Sequence, residues 1–265
     1  MTAIPYWHVD AFADRAFAGN QAAVMVFESW PEDVVLQAIG EENNFAETAF
    51  LVRNDTGEAD WELRWFTPTC EIRLCGHATL ASGHVLLTRD GGQRVTFRTR
   101  RAGVLTVERS EAGYDLALPA IRTEPGDWAE AAQLLGAAPG EVHLNPEGYG
   151  IYLFDSEEAV RALDPDIRGL GALGDDQFIC TAPGRDTDVV SRVFVPGGGV
   201  DEDSFTGSAH AVLTPFWTKR LGKDSFTAHQ ASARGGDATC RLDGDRAILG
   251  GGCVTVVEGT FYLPS

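Results

Sequence analysis

The chain has 265 residues, 44% hydrophobic and 23% charged, and its 39 acidic against 21 basic side chains give a formal charge of −18. That balance argues against nucleic-acid binding, which draws its affinity from Lys and Arg neutralising phosphates, and leaves any carboxylate ligand to be held by local donors. No stretch approaches the roughly eighteen apolar residues of a membrane helix, and Asp10, Asp14 and Arg15 interrupt the N-terminal stretch where a signal peptide needs an apolar run.

Five cysteines in no regular framework fit a reducing compartment better than a disulfide scaffold, so a cytoplasmic protein is expected. The length allows one large domain or two ordinary ones.

In chain order, the spacing predicts an amphipathic helix over Pro31 to Gly40, with Val34, Val35, Ala38 and Ile39 on one face. A second helix is predicted over Gly76 to Leu87, apolar or small on almost every side and therefore buried. From Arg94 the period changes to two, through Val95, Phe97, Val104, Val107, Leu116 and Leu118, with glycines at the turns; this is an antiparallel meander. Pro119 to Pro125 reads as a linker. Asp127-Trp128-Ala129 is placed to cap a short helix ending at Leu135, and Ser156-Glu157-Glu158 another before Pro165. Arg192 to Val195 reads as a strand, and Ser208 to Leu221 as a helix that Pro215 should kink or force to shift its hydrogen bonds. The apolar run from Ile248 to Tyr262 reads as two strands, broken by Gly250-Gly251-Gly252 and Gly259.

Two of these stretches repeat one device. Arg64-Trp65-Phe66-Thr67-Pro68 leads past Glu71 to Cys75-Gly76-His77-Ala78, and Arg192-Val193-Phe194-Val195-Pro196 leads past Glu202 and Asp203 to Thr206-Gly207-Ser208-Ala209. Each reads as a strand, a turn stopped by proline, an acidic loop, and a glycine that opens an apolar helix. The chain is therefore expected to be a duplicated α+β protein of two similar lobes, 1–118 and 119–265, with the option that the last strand returns to the N-terminal lobe. A glycine at a helix start lets a ligand approach free backbone N–H groups at the positive end of the helix dipole. Two such ends together would grip a small anion.

The pattern also includes Val9-Asp10-Ala11-Phe12 with Gly19-Asn20, Asn44-Phe45-Ala46-Glu47-Thr48-Ala49-Phe50, and Gln230-Ala231-Ser232-Ala233-Arg234-Gly235-Gly236. Taken in this order, these anchors resemble the PhzF-like (phenazine-biosynthesis) isomerases of the diaminopimelate-epimerase fold, over nearly the whole chain. The resemblance implies a barrel-like antiparallel sheet around a central helix in each lobe, an active site in the cleft between lobes, and a homodimer.

Glu47 is a carboxylate among apolar strand residues, so it is either paired or raised in pKa, as a general base needs. The family's catalytic glutamate falls on it. His77 alone reads as a core histidine, and Asp203 with Ser208 as a helix-capping pair, in which Ser208 or Thr206 takes the first N–H groups. The resemblance places His77, Asp203 and Ser208 beside the base, turns the N–H groups of Gly76 and Gly207 toward the ligand, and adds Asn20 as a substrate contact. Gln230 and Arg234 match family positions without a role. In the wider fold family two cysteines exchange a proton across an α-carbon. Cys75 occupies the first of those places but Thr206 the second, so that mechanism is disfavoured and Cys75 is expected as a buried packing residue. Cys70 and Cys75 have no second pair at zinc spacing, so no metal is expected.

The expected activity is a cofactor-free isomerase acting on a small carboxylate, with Glu47 moving a proton between carbons and Asp203 and His77 assisting. An amino-acid epimerase, racemase or lyase, and a non-catalytic binding protein, stand as the alternatives. Two positions depart from the family pattern: Asn20-Gln21 replaces a common Asn-Pro, and Ser204-Phe205 a common Pro-Val. Phe205 is expected to add bulk beside the cleft, which argues against the phenazine precursor itself as substrate.

Overall fold

The computed structural model describes residues 1–263. They form two compact units, one of Met1–Ala117 with the chain from Gly250 onward, the other of Leu118–Leu249. No helix among the described residues is long and apolar enough to cross a membrane.

The first unit opens with the antiparallel pair β1 (Thr2–Ala11) and β2 (Asn20–Phe27). Helix α1 (Asp33–Asn43) crosses over to β3 (Glu47–Arg53), parallel to β2. Strands β4 (Trp61–Phe66) and β5 (Glu71–Ile72) follow as antiparallel partners of β3 and β4 respectively. Helix α2 (Gly76–Asp90) makes a second crossover to β6 (Arg94–Thr99), which lies parallel to β4. The predicted meander then runs through β7 (Val104–Ser110) and β8 (Gly113–Pro119).

Helix α2 is enclosed as its composition requires. It packs against β1, β2, β3, β6 and β7, and its residues from Gly76 to Gly83 are all buried. A side chain at position 83 could not fit, because a Cβ there would lie 2.4 Å from Cγ1 of Val107. The expected face of α1 needs correction. Val34 is 68% exposed, while Leu36, Ile39 and Gly40 are buried, with Leu36 and Ile39 packed in one cluster with Met25, Phe27, Phe50 and Phe66. The apolar stripe at i, i+3 and i+4 decides the facing, and Val34 lies outside it.

The second unit begins with β9 (Glu124–Pro125) and α3 (Ala129–Leu134), then β10 (Glu141–Asn145) and β11 (Tyr149–Leu153). Helices α4 (Glu157–Arg161) and α5 (Ile167–Leu173) lead to β12 (Gln177–Pro183) and β13 (Val189–Phe194). Helix α6 (Gly207–Leu221) is followed by β14 (Ser225–Gln230), β15 (Gly236–Asp243) and β16 (Arg246–Gly251). From β10 to β15 the pairings run antiparallel, parallel, antiparallel, parallel, antiparallel. The series β1, β2, β3, β4, β6, β7 has the same order. The duplication seen in short motifs thus extends to the topology of each unit.

Ser156 caps α4 as expected, accepting from the N–H of Ala159. Asp127 does not cap α3, whose N-cap is Trp128 with no side-chain bond, and α5, capped by Asp166, was not foreseen. The expected linker is partly ordered: Glu124-Pro125 pairs with β10. Its Ile121 N–H also donates to the carbonyl of Ala211 at 3.1 Å. That carbonyl is the one Pro215 cannot bond four residues later, so the linker satisfies the gap the proline leaves in α6.

The last described strand is β17 (Cys253–Leu263), antiparallel to β1 in the first unit. Gly259 does not interrupt it, because that residue pairs with Tyr6 in the same ladder, and the break after β16 falls at Gly252 alone.

Candidate active site

In the first unit the tight approach to Asn20 is set by Gly19. Its φ is +61°, and a Cβ there would lie 2.1 Å from the carbonyl oxygen of Ala11, so only glycine fits this turn. The parallel register of Ala22 with Glu47 puts Asn20 and Glu47 on one face of the sheet. Helix α2 brings His77 to the same place in its first turn. Nε2 of His77 lies 3.0 Å from Oε2 of Glu47, and its Nδ1 lies 3.2 Å from Nδ2 of Asn20. The thiol of Cys75 is 3.5 Å from Nδ1 and 3.9 Å from Nε2. Asn20, Glu47, Cys75, Gly76 and His77 are therefore gathered at one point.

Glu47 realises the paired alternative, and its side chain is 14% exposed. The approach of His77 is close but off the hydrogen-bond line, and Oε2 is buried without a well-directed donor. Burial opposes a charge on His77, yet its electrostatic and hydrogen-bond interactions with Cys75 and Glu47 raise its pKa well above the ordinary 6.5. Cys75 is itself pushed up to about 11, first by burial and then by the charge of Glu47. Its thiol is therefore neutral near pH 7, and Glu47 is the group that holds His77 as an imidazolium there. Cys75 is buried as expected, and it is also an electrostatic neighbour of the pair. A carboxylate, a thiol and an imidazole lie here within 4.8 Å of one another, the donor set that would suit a soft divalent cation.

In the second unit, Asp203, Thr206, Gly207 and Ser208 surround the start of α6, and the capping expected there is not made. Neither Thr206 nor its counterpart Cys75 gives a side-chain cap to its helix. The Thr206 hydroxyl instead donates to Oδ2 of Asp203 at 2.6 Å, and Ser208 is engaged with the amide of Gln177 at 3.0 and 3.2 Å. Gln230 organises this turn. Its Oε1 accepts the Thr206 N–H at 2.9 Å, and its Nε2 donates to the Asp203 carbonyl at 2.8 Å and the Thr206 hydroxyl at 3.2 Å. His210, one turn on, donates from Nδ1 to the Thr206 carbonyl. Phe205 is also corrected: it is fully buried and stacks on His210, with ring centroids 4.2 Å apart, so its bulk lies in the core.

The repeated acidic loops have a mechanical explanation. Arg64 on β4 grips Glu71 through two parallel bonds of 2.7 and 2.8 Å and reaches Asp33 at 2.8 Å. Arg192 on β13 grips Glu202 at 2.7 and 2.8 Å and donates to the Leu163 carbonyl at 2.7 Å. In each unit a strand arginine braces the loop that delivers a glycine-opened helix. Sequence reasoning gave Gln230 no role and missed Gln177, which lies 31 residues from Ser208. The fork pairs had a readable signal, an arginine and a glutamate repeated at the same places in both copies.

Comparison with known proteins identifies the family and the fold. The family model described as phenazine biosynthesis-like protein matches residues 9–259. The chain is 46% identical over 263 residues to an uncharacterized isomerase of Pseudomonas aeruginosa, covering 98% of this chain and 99% of the relative. A crystal structure of a phenazine biosynthesis protein of the PhzF family from Enterococcus faecalis superposes with a TM-score of 0.91 at 40% identity, covering 99% of this chain and all of the other. A predicted epimerase of P. aeruginosa shares the fold, with a TM-score of 0.75 at 21% identity and 98% and 100% coverage. With these matches over nearly its full length, and with the α+β diaminopimelate-epimerase-like fold in hand, the chain belongs to the PhzF-like, phenazine biosynthesis-like family.

Proposed function

We propose that this protein is a cofactor-independent isomerase that moves a proton between carbons of a small carboxylate-bearing metabolite, with Glu47 as the general base. The observation that carries the reading is the Glu47–His77 pair at 3.0 Å. One carboxylate oxygen is buried against an imidazolium, and the remaining exposure of the side chain lies on its other atoms. In this reading Oε1 takes the proton from carbon while Oε2 stays with His77, and the same carboxylate returns the proton to another carbon on the same face. His77 stays against Oε2 of Glu47 and hydrogen-bonds polar substituents of the substrate.

The first-turn N–H groups of α2, at Gly76 and beyond, receive no acceptor from the N-cap side chain, which favours them as donors to negative charge developing on the substrate. Asn20 joins them as a substrate contact. In this proposal Asp203 carries proton exchange and Gly207 and Ser208 bind substrate, and the protein acts as a homodimer. A thiol-based epimerase is less favoured, since Cys75 holds its proton up to about pH 11.

The test begins with a panel of small carboxylates screened by thermal stabilisation, followed by NMR of the ligands that bind, in D₂O. Positional transfer of a proton within the molecule is expected. Glu47→Gln should retain binding and lose at least ~100-fold in turnover, the usual contribution of a general base. Full activity in that variant would overturn the assignment, and a ligand labelled only at an amino-acid α-carbon would point to racemisation instead.

A further inference from the structure

We propose that Glu47, Cys75 and His77 form a binding site for a soft divalent cation such as Zn²⁺ or Cd²⁺, acting as an inhibitory ligand. The site stands on donor geometry and does not depend on the isomerase reading. Oε2 of Glu47 lies 3.0 Å from Nε2 of His77, Nε2 lies 3.9 Å from Sγ of Cys75, and all three donors fall within 4.8 Å of one another. A tetrahedral zinc ion with bonds of about 2.0–2.3 Å sets its donors roughly 3.3–3.6 Å apart, so shifts of a few tenths of an ångström to about one close the site.

The donor set is also chemically selective. Thiolate and imidazole prefer zinc and cadmium to magnesium or calcium, and a single carboxylate leaves too few oxygens for the harder ions. The backbone holds the donors ready, since Cys75 and His77 flank the first residue of α2 and Glu47 opens β3. Oε2 of Glu47 is buried without a well-directed hydrogen bond, so an ion there answers a polar atom the fold leaves poorly satisfied. Asn20, 3.2 Å from Nδ1 of His77, orients the ring as an outer partner. Glu47 is the most exposed of the three and marks the side from which an ion enters.

Binding releases two protons to water, one from the Cys75 thiol and one from the His77 ring, and forms metal–sulfur, metal–nitrogen and metal–oxygen bonds, with water in the fourth place. No oxidation state changes. The ion would occupy the carboxylate assigned above as the base, and that inhibitory consequence alone rests on the isomerase reading.

The experiment is a Cd²⁺ titration of the full chain, followed by thiolate-to-metal charge-transfer absorption. One band saturating at one metal per chain is expected. Cys75→Ala should abolish it, and Cys70→Ala, at an exposed cysteine, should leave it intact. Glu47→Gln should keep the band and weaken the affinity by at least ~10-fold, as loss of even an outer partner does. Cys75→Ser supplies a second test should the alanine variant fold poorly, and far-ultraviolet circular dichroism without metal checks each fold. Absence of a band in the wild type, or a band that survives in a folded Cys75 variant, overturns the site. Metal binding without any effect on turnover would refute the inhibitory action and with it the role given to Glu47.

Discussion

His210→Asn should remove a block of pH-dependent stability from the protein. The His210 ring is fully buried, donates from Nδ1 to the Thr206 carbonyl at 2.8 Å, lies flat against Phe205, and has no hydrogen-bond partner at Nε2 among the described residues. Burial lowers its pKa from 6.5 to about 4, outweighing the carbonyl of Thr206. As pH falls through 6.5 the unfolded chain gains a proton that the folded chain refuses until about pH 4. The folded state therefore loses stability across that window. The separation of 6.5 − 4 = 2.5 units corresponds to about 3 kcal/mol in full, and to about 2 kcal/mol between pH 7.5 and pH 5.

Urea unfolding of the wild type and His210→Asn at both pH values measures this. The asparagine amide can replace the bond to Thr206, and the other titrating groups cancel in the difference. The stability of the wild type relative to the variant should fall by about 2 kcal/mol on acidification. A difference that stays flat, or grows as pH falls, would refute a neutral buried imidazole.

Further outcomes are expected. His77 should carry protons on both ring nitrogens at neutral pH, seen by ¹⁵N NMR. Glu47→Gln should drop its pKa, because burial is then opposed only by a neutral thiol; an unchanged ring titration would remove Glu47 as its partner. Since the folded pKa of His77 is raised, its contribution is fully present below the ordinary value of 6.5 and is lost as pH rises through the folded value, so the melting temperature of the wild type should decline on the alkaline side and that of Glu47→Gln should not follow it. Gln230→Leu strips the three hydrogen bonds that a fully buried side chain makes to this turn and should cost about 2–4 kcal/mol in urea unfolding, whereas a loss under about 0.5 kcal/mol would deny it the organising role. Arg192→Lys keeps the charge but loses the two-pronged grip on Glu202, and about 1–3 kcal/mol of stability is expected to go with it. A neutral result would show that the charge alone braces the loop.

What the sequence made legible was local. Helices α2 and α6 could be read because each has a glycine at its start and apolar residues on nearly every side, and Ser156 because an N-cap acts within three residues. The repeated order of arginine and acid was visible too, though not the bidentate pairing behind it. Misreadings arose where a residue's partner is distant in sequence. Ser208 or Thr206 was expected to cap α6, but Ser208 is engaged with Gln177, and the Thr206 hydroxyl is held by Asp203 and Gln230, the second 24 residues away. Phe205 looked like bulk beside a cleft because burial is decided by packing, here against His210. Glu47, Asn20 and His77 come from three separate elements, and only the parallel register of β2 with β3 brings the first two to one face.

The pairing of β17 with β1 shapes how this chain must be made. Strand β1 is synthesised about 240 residues before its partner, so its ladder with residues 253–263 cannot form until those residues have been made. Until then one edge of β1 displays unpaired backbone groups, an invitation to pair with a neighbouring nascent chain. Ribosomes crowded on one message would put such edges side by side, so slowing initiation should raise the soluble yield more than slowing elongation does.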